Sequence, residues 1–166
     1  MTDDKPTIDR IKLLHPKLRE EAGLIYQEIK TVLTGKSICR FSYTLRTFAE
    51  QDALFNARPQ VTKARGGHSY HNYGLAIDIV LLVDKDGNGT FETASWDVKT
   101  DFDQDKLADW QEIVAIFKRH GWEWGGDWKF YDAPHFQKTF GKSIADLLKL
   151  HTNKKFIPGT TYVDLG

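Results

Sequence analysis

Gly67-His68-Ser69-Tyr70-His71-Asn72-Tyr73-Gly74-Leu75-Ala76-Ile77-Asp78 is the stretch on which the fold of this chain turns. An imidazole at His71 and a carboxylate at Asp78 flank Gly74 and Ala76, small residues that let backbone segments approach closely. Ile79–Val83 follows as an apolar run of strand length. The reading is a loop carrying His71 that enters a buried strand carrying Asp78. A carboxylate inside an apolar strand is costly to bury unless it is paired or binds a metal.

The third candidate ligand is His135, in Tyr131-Asp132-Ala133-Pro134-His135-Phe136-Gln137. One Asp and two His would make a three-ligand zinc site that keeps a position for water, whereas structural zinc sites fill four positions and favour Cys. Cys39 is the only cysteine, which excludes a Cys-rich site and an internal disulfide. Other divalent ions accept the same ligands. The plain alternative is that both histidines are ordinary polar residues beside a core. His68 competes as a ligand, three residues before His71, but its Gly-rich surroundings read as a loop and place it in the groove.

The string Ser69-x-His71-x-x-Gly74-x-Ala76-x-Asp78 with Asp132-x-x-His135 resembles the zinc peptidases of bacterial cell-wall peptides. These are the VanY-like D-alanyl-D-alanine carboxypeptidases and the CwlK-like and phage-endolysin L-alanyl-D-glutamate endopeptidases. The likeness runs from about residue 35 to 140 and takes in Arg46–Phe55 and Gly121–Trp128. Tyr70, Asn72, Tyr73 and the Trp-Gly-Gly run are more similar to the endopeptidase branch. The resemblance implies an α+β fold of Hedgehog/DD-peptidase type, a small antiparallel sheet carrying the metal site with helices around it. It implies zinc at His71, Asp78 and His135, a general base at Asp132, and Arg46 pointing into the cleft to hold a carboxylate or oxyanion. Glu123 is the fallback base. The implied substrate is the peptidoglycan stem peptide. A D-Ala-D-Ala carboxypeptidase and a zinc-containing wall-binding module without turnover are the competing expectations.

The chain has 166 residues, which suits one domain over 1–166, and 40% hydrophobic residues suffice for a core. With 23 basic and 23 acidic residues the formal net charge is zero, which argues against a general nucleic-acid or membrane-surface binder. A monomer is expected. The polar start has no apolar run behind it, so neither a leader nor a membrane span is expected. A wall enzyme of this kind acts after release from the cytoplasm, as phage lysins do, or as a trimmed secreted protein.

In chain order, residues 1–8 read as a loose arm. Leu18, Ala22, Ile25, Ile29 and Val32 recur at helical spacing over Lys17–Leu33, with Gly35 as a stop. Ile38–Leu45 reads as a strand. Thr47 and Glu50 form a capping-box pair for a helix over Phe48–Asn56. Gln51 either helps position the loop that carries Arg46 or is a surface residue. The 58–67 loop is rich in turn formers, and Lys63 and Arg65 make it basic. Asp84, Asp86 and Asn88 match the first half of a calcium loop, although Ser95 stands where the twelfth-position Glu belongs; an ordinary Gly/Asn turn explains the same residues. Asp105–His120 reads as a helix with Leu107, Trp110, Ile113, Val114 and Phe117 on its core face, stopped at Gly121. Trp122, Trp124 and Trp128 read as packing or as a groove wall, with Trp128, Ser69, His68 and Gln51 taken as substrate-side residues. Phe130–Gln137 reads as a strand delivering Asp132 and His135, which Pro134 must bend to bring both to one site. Ser143–Leu150 reads as a short helix and 151–166 as a tail without a motif.

Overall fold

The apolar run after Asp78 forms the middle of a sheet in the computed structural model, which describes residues 2–166. β1 (Ser37–Tyr43) runs antiparallel along one edge of β2 (Ala76–Val83). The other edge of β2 is shared. β3 (Thr93–Ser95) pairs with Leu81–Val83. β4 (Glu123–Trp124) joins the sheet through β5 (His135–Gln137), which pairs with Ala76–Asp78. Five α-helices surround this sheet: α1 (Lys5–Ile11), α2 (Pro16–Val32), α3 (Phe48–Asn56), α4 (Asp109–Arg119) and α5 (Ile144–Thr152).

Alternation along the strands separates core from cleft. Ile77, Ile79 and Leu81 are fully buried with Leu18, Ile25 and Ile29 of α2 and Trp110, Ile113 and Phe117 of α4. Phe136 joins them by stacking on Phe117, with centroids 4.1 Å apart. Asp78, His135 and Gln137 therefore point to the opposite face. The register sets Asp78 directly across from His135. Each large apolar side chain buried in this way contributes about 1.5–3 kcal/mol, so the register is strongly specified by the core face.

The helix ends follow local chemistry. Thr47 accepts from Glu50 N–H while the Glu50 carboxylate accepts from Thr47 N–H, a complete capping box for α3. Ser143 and Asp146 do the same for α5. Beyond α2, Gly35 has φ 87°, a conformation glycine adopts without steric cost.

Three sequence expectations are corrected. The supposed arm at 1–8 contains the start of α1, capped by Asp4 at Thr7. This helix braces the end of β1: Arg10 donates to Phe41 O at 2.8 Å and Thr44 Oγ1 donates to Arg10 O at 2.8 Å. Its seven residues carry too little apolar periodicity to stand out. The helix expected from Asp105 starts at Asp109, because Asp101 and Asp105 accept the backbone N–H groups of Gln104, Lys106 and Leu107 and compete with helix formation. The strand expected over Phe130–Gln137 is confined to His135–Gln137, and Asp132 lies in the turn before it. The tail packs against the body: Val163 and Leu165 are buried, and the Val163 carbonyl lies 2.9 Å from Nε2 of His15. Among the described residues no helix is long and apolar enough to cross a membrane.

Candidate metal centre and cleft

Three elements bring His71, Asp78 and His135 together. His71 sits in a 3₁₀ turn over Tyr70–Tyr73, capped by Ser69 and closed by Gly74 at φ 68°. A Cβ at Gly74 would lie 2.6 Å from the His15 backbone nitrogen, so this turn tolerates no side chain there. Asp78 comes from the central strand and His135 from its neighbour. Their ligand atoms all lie within 4.8 Å of one another. Asp78 Oδ1 is 3.1 Å from His71 Nε2 and 3.1 Å from His135 Nδ1. The imidazole rings meet edge to face, with centroids 5.0 Å apart.

Each imidazole is oriented by its other nitrogen. His71 Nδ1 donates to the Thr44 carbonyl at 2.7 Å, which leaves Nε2 with its lone pair facing the cluster. That Nε2 is buried and makes no hydrogen bond. His135 Nε2 donates to Gln137 Oε1 at 3.0 Å, and Gln137 Nε2 donates in turn to Glu123 at 3.0 Å. Nδ1 of His135 is thus turned to Asp78 Oδ1, 3.1 Å away, inside the cluster. Two imidazoles held by outer hydrogen bonds and one carboxylate are the ligand set and support that a divalent transition metal takes. The orphaned lone pair of His71 fits an ion at this point. Burial alone would raise the Asp78 pKa; the adjacent imidazoles outweigh it and hold the carboxyl well below its ordinary range.

The cluster forms the floor of a cleft of about 530 Å³. Arg46, Gln51, His68, Ser69, Trp128 and Asp132 line it, so every side chain expected at the site from the motif faces one space. Their tasks differ from expectation in detail. Gln51 is buried and holds Arg46, its Oε1 accepting from Nη1 at 3.0 Å while its amide donates to Ala64 O at 2.8 Å. Arg46 also stacks over the Tyr43 ring at 4.9 Å. Ser69 spends its hydroxyl on the His71 N–H at 3.3 Å. His68 lines the wall and stands outside the three-ligand group. Trp128 packs against the His135 ring at 5.3 Å.

Asp132 is delivered by a pinned turn. Its N–H donates to Gly125 O at 2.9 Å, and its carbonyl accepts from His135 N–H at 3.1 Å. Pro134 O accepts from Ile79 N–H at 3.0 Å, and Trp124 Nε1 donates to Ala133 O at 2.7 Å. Partial desolvation raises the Asp132 pKa, opposed by the charge of His135. Glu123, the fallback base, is engaged with Gln137 and is absent from the cleft lining. The Asp84 loop gives calcium no support: the Asp84 carboxylate accepts the N–H groups of Gly87, Asn88 and Gly89, and among the described residues neither Asp84 nor Asp86 belongs to a three-ligand group.

Thr44 and Gln137 were not singled out from sequence. Gln137 carried a signal, since two residues along a strand put it on the same face as His135. The Thr44 contact uses a backbone carbonyl, which no side-chain pattern announces.

A family model described as D-alanyl-D-alanine carboxypeptidase matches residues 62–138, which include His71, Asp78, Asp132 and His135. The chain is 43% identical over 131 residues to the peptidoglycan L-alanyl-D-glutamate endopeptidase CwlK of Bacillus subtilis (strain 168), covering 75% of this chain and 72% of that protein. It is 35% identical over 111 residues to the L-alanyl-D-glutamate peptidase of Listeria phage A118, covering 61% of this chain and 34% of the phage protein.

Proposed function

This chain belongs to the M15 peptidase family, and from that premise we propose that it is a zinc-dependent endopeptidase cutting the L-alanyl–D-glutamate bond of peptidoglycan stem peptides. The observation that carries the reading is the convergence of His71, Asp78 and His135 on the floor of a cleft that Asp132 and Arg46 also line.

His71 Nε2, Asp78 Oδ1 and His135 Nδ1 would hold the ion. When bound, zinc lowers the pKa of a coordinated water to about 7 and polarises the scissile carbonyl. Asp132 takes the proton of the attacking water and returns it to the leaving amine. Arg46, fixed by Gln51, offers its guanidinium fork to the carboxylate of the substrate or to the oxyanion. Trp128 holds the His135 ring and walls the groove.

Mass analysis of purified peptidoglycan digested with the protein, with and without chelator, tests this. New N-terminal D-glutamyl fragments that disappear with chelator are expected. Loss of one terminal D-alanine instead would assign the carboxypeptidase activity in the family model's description, and tight wall binding without products would assign a binding module.

A further inference from the structure

Away from the cleft, the 101–112 segment gathers five carboxylates: Asp101, Asp103, Asp105, Asp109 and Glu112. Oxygens of Asp101, Asp103 and Asp109 lie within 4.8 Å of one another, as do those of Asp103, Asp105 and Glu112, the two groups sharing Asp103. Among the described residues none of the five is in an ion pair with Lys, Arg or His. Crowded carboxylates in that state repel. Two of their oxygens, Asp103 Oδ1 and Glu112 Oε2, are also buried with no hydrogen-bond partner. A buried, unpartnered carboxylate oxygen is costly unless a cation meets it.

We propose that residues 101–112 form a calcium-binding loop, with Asp101, Asp103, Asp105, the Leu107 carbonyl, Asp109 and Glu112 as its ligand positions. The inference is independent of the peptidase site. The spacing is that of a twelve-residue calcium loop, with acids at the first, third, fifth and ninth places, a carbonyl at the seventh and Glu at the twelfth. A set made only of oxygens selects a hard cation over zinc.

The fold supports each place. Asp101 accepts the N–H groups of Gln104, Asp105 and Lys106, which winds the loop around its first residue. The sixth place, where glycine is usual, is Lys106, yet its backbone takes φ 84°, the conformation glycine supplies there. α4 begins at the ninth place and carries Glu112 on its first turn. No helix leads into the loop, so this is a loop–helix site. Asp103 Oδ2 accepts from the backbone and hydroxyl of Thr34 at 2.9 and 2.8 Å, which turns Oδ1 toward the cluster. Both Asp109 oxygens are engaged, by Ser37 Oγ and Phe102 N–H, which suits the ninth place, often bridged by water.

A bound ion would tie the α2–β1 connection, through Thr34 and Ser37, to the start of α4. Calorimetric titration of the zinc-loaded full chain with calcium chloride, with thermal melts alongside, tests the proposal. Saturable one-to-one binding within the range of about 10⁻⁷ to 10⁻³ M and a rise in Tm are expected. Both should vanish in Glu112→Gln and Asp103→Asn and persist in Asp84→Asn. Relief of repulsion should leave the calcium-free Glu112→Gln chain at least as stable as the parent, so loss of folding does not confuse the result. No heat and no Tm change in the parent, an unchanged response in Glu112→Gln, or loss of the response in Asp84→Asn would overturn it.

Discussion

His135 and Gln137 stand two residues apart on one strand and are joined side chain to side chain, Nε2 donating to Oε1 at 3.0 Å. The bond decides which imidazole nitrogen is left to bind an ion. Replacing Gln137 by Leu removes the acceptor and frees the ring to rotate or change tautomer. Zinc affinity should fall about 10–100-fold, the usual cost of removing such an outer partner. Competition against a chromophoric chelator would measure it, and an unchanged affinity would detach Gln137 from the centre.

Asp132→Asn keeps the shape of the turn and removes the proton acceptor. Zinc content should stay near stoichiometric while kcat falls about 10²–10⁴-fold. Metal analysis and muropeptide turnover on one preparation would separate the two effects. Retained turnover would move the base elsewhere.

Gly125 faces the Asp132 turn so closely that a Cβ there would lie 2.3 Å from the Asp132 carbonyl oxygen. Gly125→Ala must push that turn outward. Activity should fall with metal content retained, and unfolding should be easier by about 1–3 kcal/mol, as for other overpacked sites. Denaturant melts and peptide turnover would check both parts.

Gln51 is bonded to Arg46, and the proposed mechanism has it act through that bond. Gln51→Ala and Arg46→Ala should each lower kcat/KM, and the double variant should be little worse than Arg46→Ala alone. Additive losses in that cycle would give Gln51 a substrate contact of its own.

His15 should give the fold an acid sensitivity. It is fully buried and satisfied as neutral imidazole, Nε2 donating to Val163 O and Nδ1 accepting the Lys17 N–H at the head of α2. Burial lowers its pKa below the ordinary 6.5, a shift the Val163 carbonyl only partly offsets. The unfolded chain therefore binds a proton at higher pH than the native one. The His15 contribution is complete above about 6.5 and is lost as pH falls below it. Urea melts of the parent and of His15→Gln across that range should show the steeper acid loss in the parent.

Local rules were legible where a residue acts on its own neighbourhood. Thr47 and Glu50 announce α3, and the apolar run after Asp78 announces β2. The convergence of His71, Asp78 and His135 was legible because each residue type is costly or unusual in its setting. Asp132 was harder: its strand-like surroundings hide a turn held by Gly125, Pro134 and Trp124, contacts that only the folded chain makes. The 101–112 carboxylates drew no notice from sequence, where Asp105 was read into the helix that follows. Asp84 and Asp101 each accept three N–H groups of their own turn, and what sets the second loop apart is that Asp103 and Glu112 keep buried oxygens without partners.

Asp78 faces His135 only when the two strands are in register, and His71 is aimed only once the carbonyl after β1 is in place. A stoichiometric ion in a refolded sample would thus certify that three separate stretches of chain have reached their native neighbours. Cation uptake could then serve as a titratable gauge of refolding yield, available before any substrate is at hand.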